Sequence, residues 1–175
     1  MKLHFFSRLL ITNVILLGTI APSSDAEKIS HSFLGVGRAN KTVIVGESGK
    51  IEWRIDLPAS DGWVLPNGNV LLALYKTKAF PNGGVVEIDR KTKEFLFQYK
   101  GGQREVSTVV PLEGDRFLVA ELGPKPRAVI INRKGEILET TPLACQKKNA
   151  HMQTRMLRVL PNGNYIAPHL LDFAV

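Results

Sequence analysis

Beyond residue 26 the chain alternates short β-branched or apolar runs with polar turns, and no stretch sustains helical periodicity. Three segments superpose: Thr42–Trp53, Val85–Phe97 and Ala128–Leu138. Each is a β-branched run, a polar turn and a second strand. Val45, Ile88 and Ile131 correspond at intervals of 43 residues, and Gly49, Thr92 and Gly135 keep the same interval. Asp89 and Asn132 can cap their turns with their side chains, and Gly49 and Gly135 can adopt positive φ, so each segment predicts a hairpin. A second motif is interleaved with the first. Trp63–Leu74 and Arg158–Ala167 share the string Leu-Pro-Asn-Gly-Asn, and Val110–Val119 is a weaker copy. Leu65, Leu112 and Leu160 correspond, spaced 47 and 48 residues apart. Proline presets φ for this turn, and Gly68 or Gly163 supplies the left-handed residue that closes it.

Two hairpins per unit of little more than 40 residues give four short strands, the pattern of a β-propeller blade. One such sheet cannot bury both its faces, so the units must stack side by side. The expected fold is therefore all-β: propeller blades of four antiparallel strands, about three to four of them in an incomplete ring. The units fall at about 32–57, 62–99, 106–141 and 152–175. The first supplies only outer strands, and the fourth breaks off after its second strand. The competing architecture is a single β-sandwich or barrel, which gives no reason for a sequence repeat.

Asp89-Arg-Lys-Thr92 followed by Phe97, and Ser48-Gly49-Lys50 followed by Trp53, resemble the repeat of quinoprotein-like (pyrroloquinoline-quinone-like) β-propellers. The Leu-Pro-Asn-Gly-Asn hairpins resemble those of arylsulfotransferase-like secreted bacterial propellers. The resemblance covers nearly all of the chain after residue 26. It implies that the aromatic ending each repeat, here Trp53 and Phe97, packs between neighbouring blades. The first copy lacks the aspartate and the third lacks the aromatic, so the fold is carried over and quinone binding is not; no cofactor is expected. Propellers of this group have more blades than this chain encodes. That implies a truncated product, or else a ring completed by self-association through open blade faces.

The amino terminus adds an expectation of export. Lys2, His4 and Arg8 precede a short apolar run, Leu9–Ile20, and Ser24-Asp25-Ala26 places small residues where a signal peptidase reads. Residues 1–26 thus read as a signal peptide, with a periplasmic or extracellular product. The alternative is an uncleaved anchor, although the run is shorter than the roughly 20 residues a membrane span needs. No membrane span is expected after cleavage. Cys145 is the only cysteine, so no intrachain disulfide can form. The formal charge is +7, but basic residues are scattered among acidic ones with no aromatic-interleaved stripe, which argues against a nucleic-acid partner.

Propeller ligands usually sit at the mouth of the central channel, where loops enter each inner strand and leave the second strand. The entering loops are 56–62, 101–107 and 145–153, and the leaving loops are 75–83 and 121–127. They concentrate polar residues. Arg104, Glu105, Glu121 and Gln153 are the expected ligand-binding residues, for an unknown small molecule or protein. His151, Arg155 and His169 are the catalytic candidates, because imidazole can act as nucleophile or acid/base while Arg155 holds a planar anion. The resemblance to arylsulfotransferase-like proteins implies a histidine and arginine pair of this kind. The competing view is that His151 and His169 are loop residues satisfied by backbone groups. The expectation is thus a binding scaffold, with a propeller enzyme as the alternative. No metal site is expected, since the two histidines and Asp172 lack zinc spacing.

Overall fold

The computed structural model describes residues 30–39 and 41–172; the expected signal peptide, 1–26, lies outside them. Four antiparallel sheets follow one another along the chain. The first holds β1 (Phe33–Gly35), β2 (Thr42–Val45) and β3 (Ile51–Ile55). The second holds β4 (Ala59–Val64), β5 (Val70–Leu74), β6 (Gly84–Ile88) and β7 (Phe95–Lys100). The third holds β8 (Glu105–Leu112), β9 (Arg116–Leu122), β10 (Arg127–Asn132) and β11 (Ile137–Pro142). The fourth pairs β12 (Arg158–Val159) with β13 (Tyr165–Ile166). These are propeller blades, each a meander in chain order. β4 and β8 begin at Ala59 and Glu105, inside the stretches expected to be entering loops.

The period of two along a strand assigns each side chain to one of two neighbouring blades. In β5, Val70, Leu72 and Leu74 face the first sheet and join Ile44 and Trp53, whereas Leu71 and Ala73 face the third and join Phe97, Tyr99 and Val109. In β9, Phe117 and Val119 belong to that second interface, and Leu118 and Ala120 to a third one with Leu157 and Val159 of the fourth blade. So three apolar layers separate four sheets. β5 and β6 are buried throughout because both their faces are covered. A sandwich, with one inner and one outer face per sheet, would not bury them so.

The resemblance's aromatic rule holds for both residues it named. Trp53 packs between the first two blades and donates its indole N–H to the Arg90 carbonyl at 2.8 Å. Phe97 packs between the second and third, 5.0 Å from the Phe117 ring. Trp53, Phe97 and Glu139 occupy one position, each directly opposite the residue before a β-bulge that recurs at Ile44/Val45, Glu87/Ile88 and Ile130/Ile131. Where the third copy carries Glu139, the outer strand β11 is exposed along its whole length.

One turn departs from the 43-residue interval. Gly49 and Gly135 take positive φ (77° and 79°), but in the second copy the left-handed residue is Lys93 (64°), not Thr92. That turn is one residue longer, closing from the Asp89 N–H to the Glu94 carbonyl. The extra residue spares a β-branched threonine the left-handed region. Thr92 instead donates its amide to Asp89 Oδ1, as Lys91 does, each at 2.8 Å. The amides of Thr92 and Lys91 hold the Asp89 carboxyl below the usual range.

Candidate functional site

At one end of the blades, five chain segments wall an open cleft of about 640 Å³. They are Arg38 between β1 and β2, Pro58 before β4, Tyr75 and Lys76 after β5, Arg104 and Glu105 at the start of β8, and Asn149–His151. All but Arg38 come from the loops that the sequence predicts to line the channel mouth. The β1–β2 connection is the same one as β5–β6 in the next blade. The 43-residue interval, carried back from Tyr75–Gly83, points to it.

Glu105 is the floor of this cleft. As the first residue of an inner strand it is buried, and two groups hold its carboxylate. Arg155 Nη2 donates to Oε1 at 2.6 Å, and His151 Nδ1 lies 3.1 Å from the same oxygen. A 3-10 turn, Ala150–Met152, presents His151, with Asn149 Oδ1 accepting from the His151 amide at 3.1 Å. Arg155 Nη2 also donates to the His151 carbonyl at 2.6 Å and touches His151 Nδ1. Of the seven residues expected to form a site, the structure therefore brings Arg104, Glu105, His151 and Arg155 together.

The other three have different surroundings. His169 Nδ1 lies 2.6 Å from Thr154 Oγ1 and 3.2 Å from Cys145 Sγ, away from the Glu105 pair. Burial pushes the Cys145 thiol above its ordinary pKa, opposed by the hydrogen bond from Thr154. Gln153 is buried and spends its amide on backbone: Oε1 accepts from Gly123 N–H at 2.9 Å, and Nε2 donates to the carbonyls of Gly123 and Lys147 at 3.0 and 2.7 Å. It ties the fourth blade to the loop after β9, which leaves no donor or acceptor aimed at a ligand.

Glu121 is fully buried near the end of β9. Its Oε1 accepts from Tyr99 Oη at 2.8 Å and from Gly102 N–H at 2.5 Å, while Arg127 holds Oε2 at 2.7 Å. This carboxylate anchors the loop carrying Arg104 rather than facing the cleft. Burial, then the bond to Glu121, pushes the Tyr99 phenol well above its ordinary pKa of 10.0. The unfolded chain then ionises at lower pH than the folded one. The stability this bond contributes is intact at neutral pH and falls as pH rises above about 10. Chemical denaturation against pH should show that alkaline decline, and Tyr99→Phe should flatten it; identical alkaline slopes would refute the assignment.

A second, longer link crosses the third blade. Arg158 makes a two-pronged pair with Asp61, at 2.9 and 3.0 Å, and sits over the Trp63 ring, 5.2 Å from its centroid. Trp63 itself donates to the Val109 carbonyl at 2.6 Å. Nothing local in the sequence couples Asp61 to Arg158, which lie 97 residues apart.

No protein-family model matches the chain, and no curated protein matches it in sequence. Solved structures do match. A protein of unknown function from Bacteroides caccae aligns with a TM-score of 0.65 at 23% identity, over 80% of this chain and 50% of its own. The WD40 β-propeller domain of Doa1 aligns with a TM-score of 0.60 at 13% identity, over 82% of this chain and 45% of its own. The chain thus spans about half the length of these two neighbours. At such identities the likeness concerns fold alone, and the fold it supports is the β-propeller.

Proposed function

We propose that the chain is an exported β-propeller scaffold that binds a ligand at the channel-mouth end of its blades. One observation carries this reading: segments from every blade converge on a single cleft whose floor, Glu105, is fixed by Arg155 and His151. A concave site with preset polar groups is the usual form of a binding site. Tyr75 and Pro58 add apolar wall. The reading is tested by adding a mixture of small aromatic, sugar and carboxylate compounds to the labelled protein. Backbone amide shifts should move at Tyr75, Arg104 and Ala150; shifts confined to other surfaces would sink it.

A propeller enzyme of arylsulfotransferase-like or quinoprotein type is the second reading, and the His151–Glu105 pair favours it. A carboxylate at Nδ1 orients an imidazole and leaves Nε2 for proton or group transfer. The scaffold reading expects no phenol release from an aryl sulfate ester and no sulfated histidine by mass. Release that His151→Ala abolishes would favour the enzyme instead.

A further inference from the structure

We propose that the mouth takes an elongated organic ligand carrying two separated anionic groups, one in each of two lobes that meet at Arg104. The proposal rests on the reading of the mouth as a ligand site. Beside the larger cleft lies a second, of about 360 Å³, walled by Pro124, Cys145, Lys147, Lys148 and Gln153. Arg104 is the one residue lining both. Arg38, Lys76 and Arg104 therefore face the larger lobe, and Arg104, Lys147 and Lys148 the smaller.

Among the described residues none of these five cations makes an ion pair. Of the nine arginines in the described residues, Arg54, Arg90, Arg127, Arg133, Arg155 and Arg158 each pair with a carboxylate. Of the three others, Arg38 and Arg104 both line the mouth. Among the described residues Glu105 is the sole acidic one lining either lobe, and Arg155 already pairs with it. Like charges gathered in concave walls raise the local positive potential and attract anions. A single anion would relieve one lobe and leave the other uncompensated, whereas a molecule bridging Arg104 relieves both. Tyr75 and Pro58 in the larger lobe suit an apolar body between the charges.

Cys145, the only thiol, lines the smaller lobe and reports its occupancy. The purified protein is titrated with inorganic phosphate and with alkanediol bisphosphates of stepped chain length, following affinity and the rate of Cys145 alkylation. One chain length should bind at least about tenfold tighter than phosphate, through the effective concentration of its second group, and should slow alkylation by a similar factor. Arg104→Gln should remove about tenfold or more of that affinity. Replacing both Lys147 and Lys148 by Gln should abolish the length preference and the thiol protection, while phosphate still shifts the Tyr75 and Ala150 amides of the larger lobe. Equal affinities with no thiol protection would overturn the two-lobed site. Binding of no anion, while neutral compounds still shift the amides of Tyr75 and Ala150, would overturn the proposal alone. If no compound shifts those amides, the ligand-site reading beneath it fails as well.

Discussion

Glu121→Leu is expected to destabilise the protein by about 3–5 kcal/mol, the usual result of removing one partner from a buried ion pair. The side chain is wholly buried and satisfies three donors: Tyr99 Oη, Gly102 N–H and the Arg127 guanidinium. Leucine fills much of the volume but accepts from none of the three donors. Arg127 is partly exposed and Gly102 is exposed, so both can turn to water, and the buried phenol of Tyr99 dominates the loss. Glu121→Gln should cost less, because its carbonyl oxygen still accepts at one site. Adding Tyr99→Phe and Arg127→Met to Glu121→Leu should recover part of the stability, since apolar replacement of every partner is less costly than orphaning them. Urea denaturation with an unchanged m-value measures each step. A loss below about 1 kcal/mol for Glu121→Leu would show that water reaches the cluster.

The consequence extends to the mouth. Gly102 lies two residues before Arg104, and a Cβ there would sit 3.1 Å from Arg127 and 3.3 Å from Glu121. Loop and carboxylate are thus fitted to one another, and Glu121 is a positioning residue for Arg104. Its variant should weaken anion binding although it touches no ligand.

The hairpins and their repeat were legible because a strand's alternation and a turn's chemistry are local. Val45, Ile88 and Ile131 mark equivalent strands, and Gly68 and Gly163 take the expected left-handed φ of 85° and 83°. Counting intervals could not show that the second turn gains a residue at Lys93. Burial of a polar side chain was also out of reach. Glu121 and Gln153 read as ligand groups because they are polar and near the mouth. Yet their partners, Tyr99 and Gly102 for one and Gly123 for the other, lie 19 to 30 residues away in sequence. Only the packing of neighbouring sheets reveals that these groups are already spent. Arg38 lies outside the expected set for the opposite reason: the sequence of the first unit predicts outer strands alone, although its β1–β2 connection reaches the cleft.

Trp53→Ala is expected to cost about 3–5 kcal/mol, as large-to-small changes in packed cores do. Trp53 is 7% exposed, fills the layer between the first and second blades and bonds Arg90 across it. Trp53→Phe should cost only about 1–2 kcal/mol, losing the hydrogen bond and some volume while keeping an aromatic plug. In stacked sheets each unit contacts its neighbours alone, so the damage should stay local. Hydrogen exchange of Trp53→Ala should accelerate in β1–β3, while β8–β10, whose interfaces are intact, keep their protection. Uniform acceleration across all four sheets would mean that the blades unfold as one unit and would refute the nearest-neighbour account. Glu139 supplies the control. It stands at the same repeat position but is exposed and meets no neighbouring layer, so Glu139→Ala should change stability by less than about 0.5 kcal/mol. One position in the repeat is thus expected to be critical or nearly neutral according to whether a sheet packs against it.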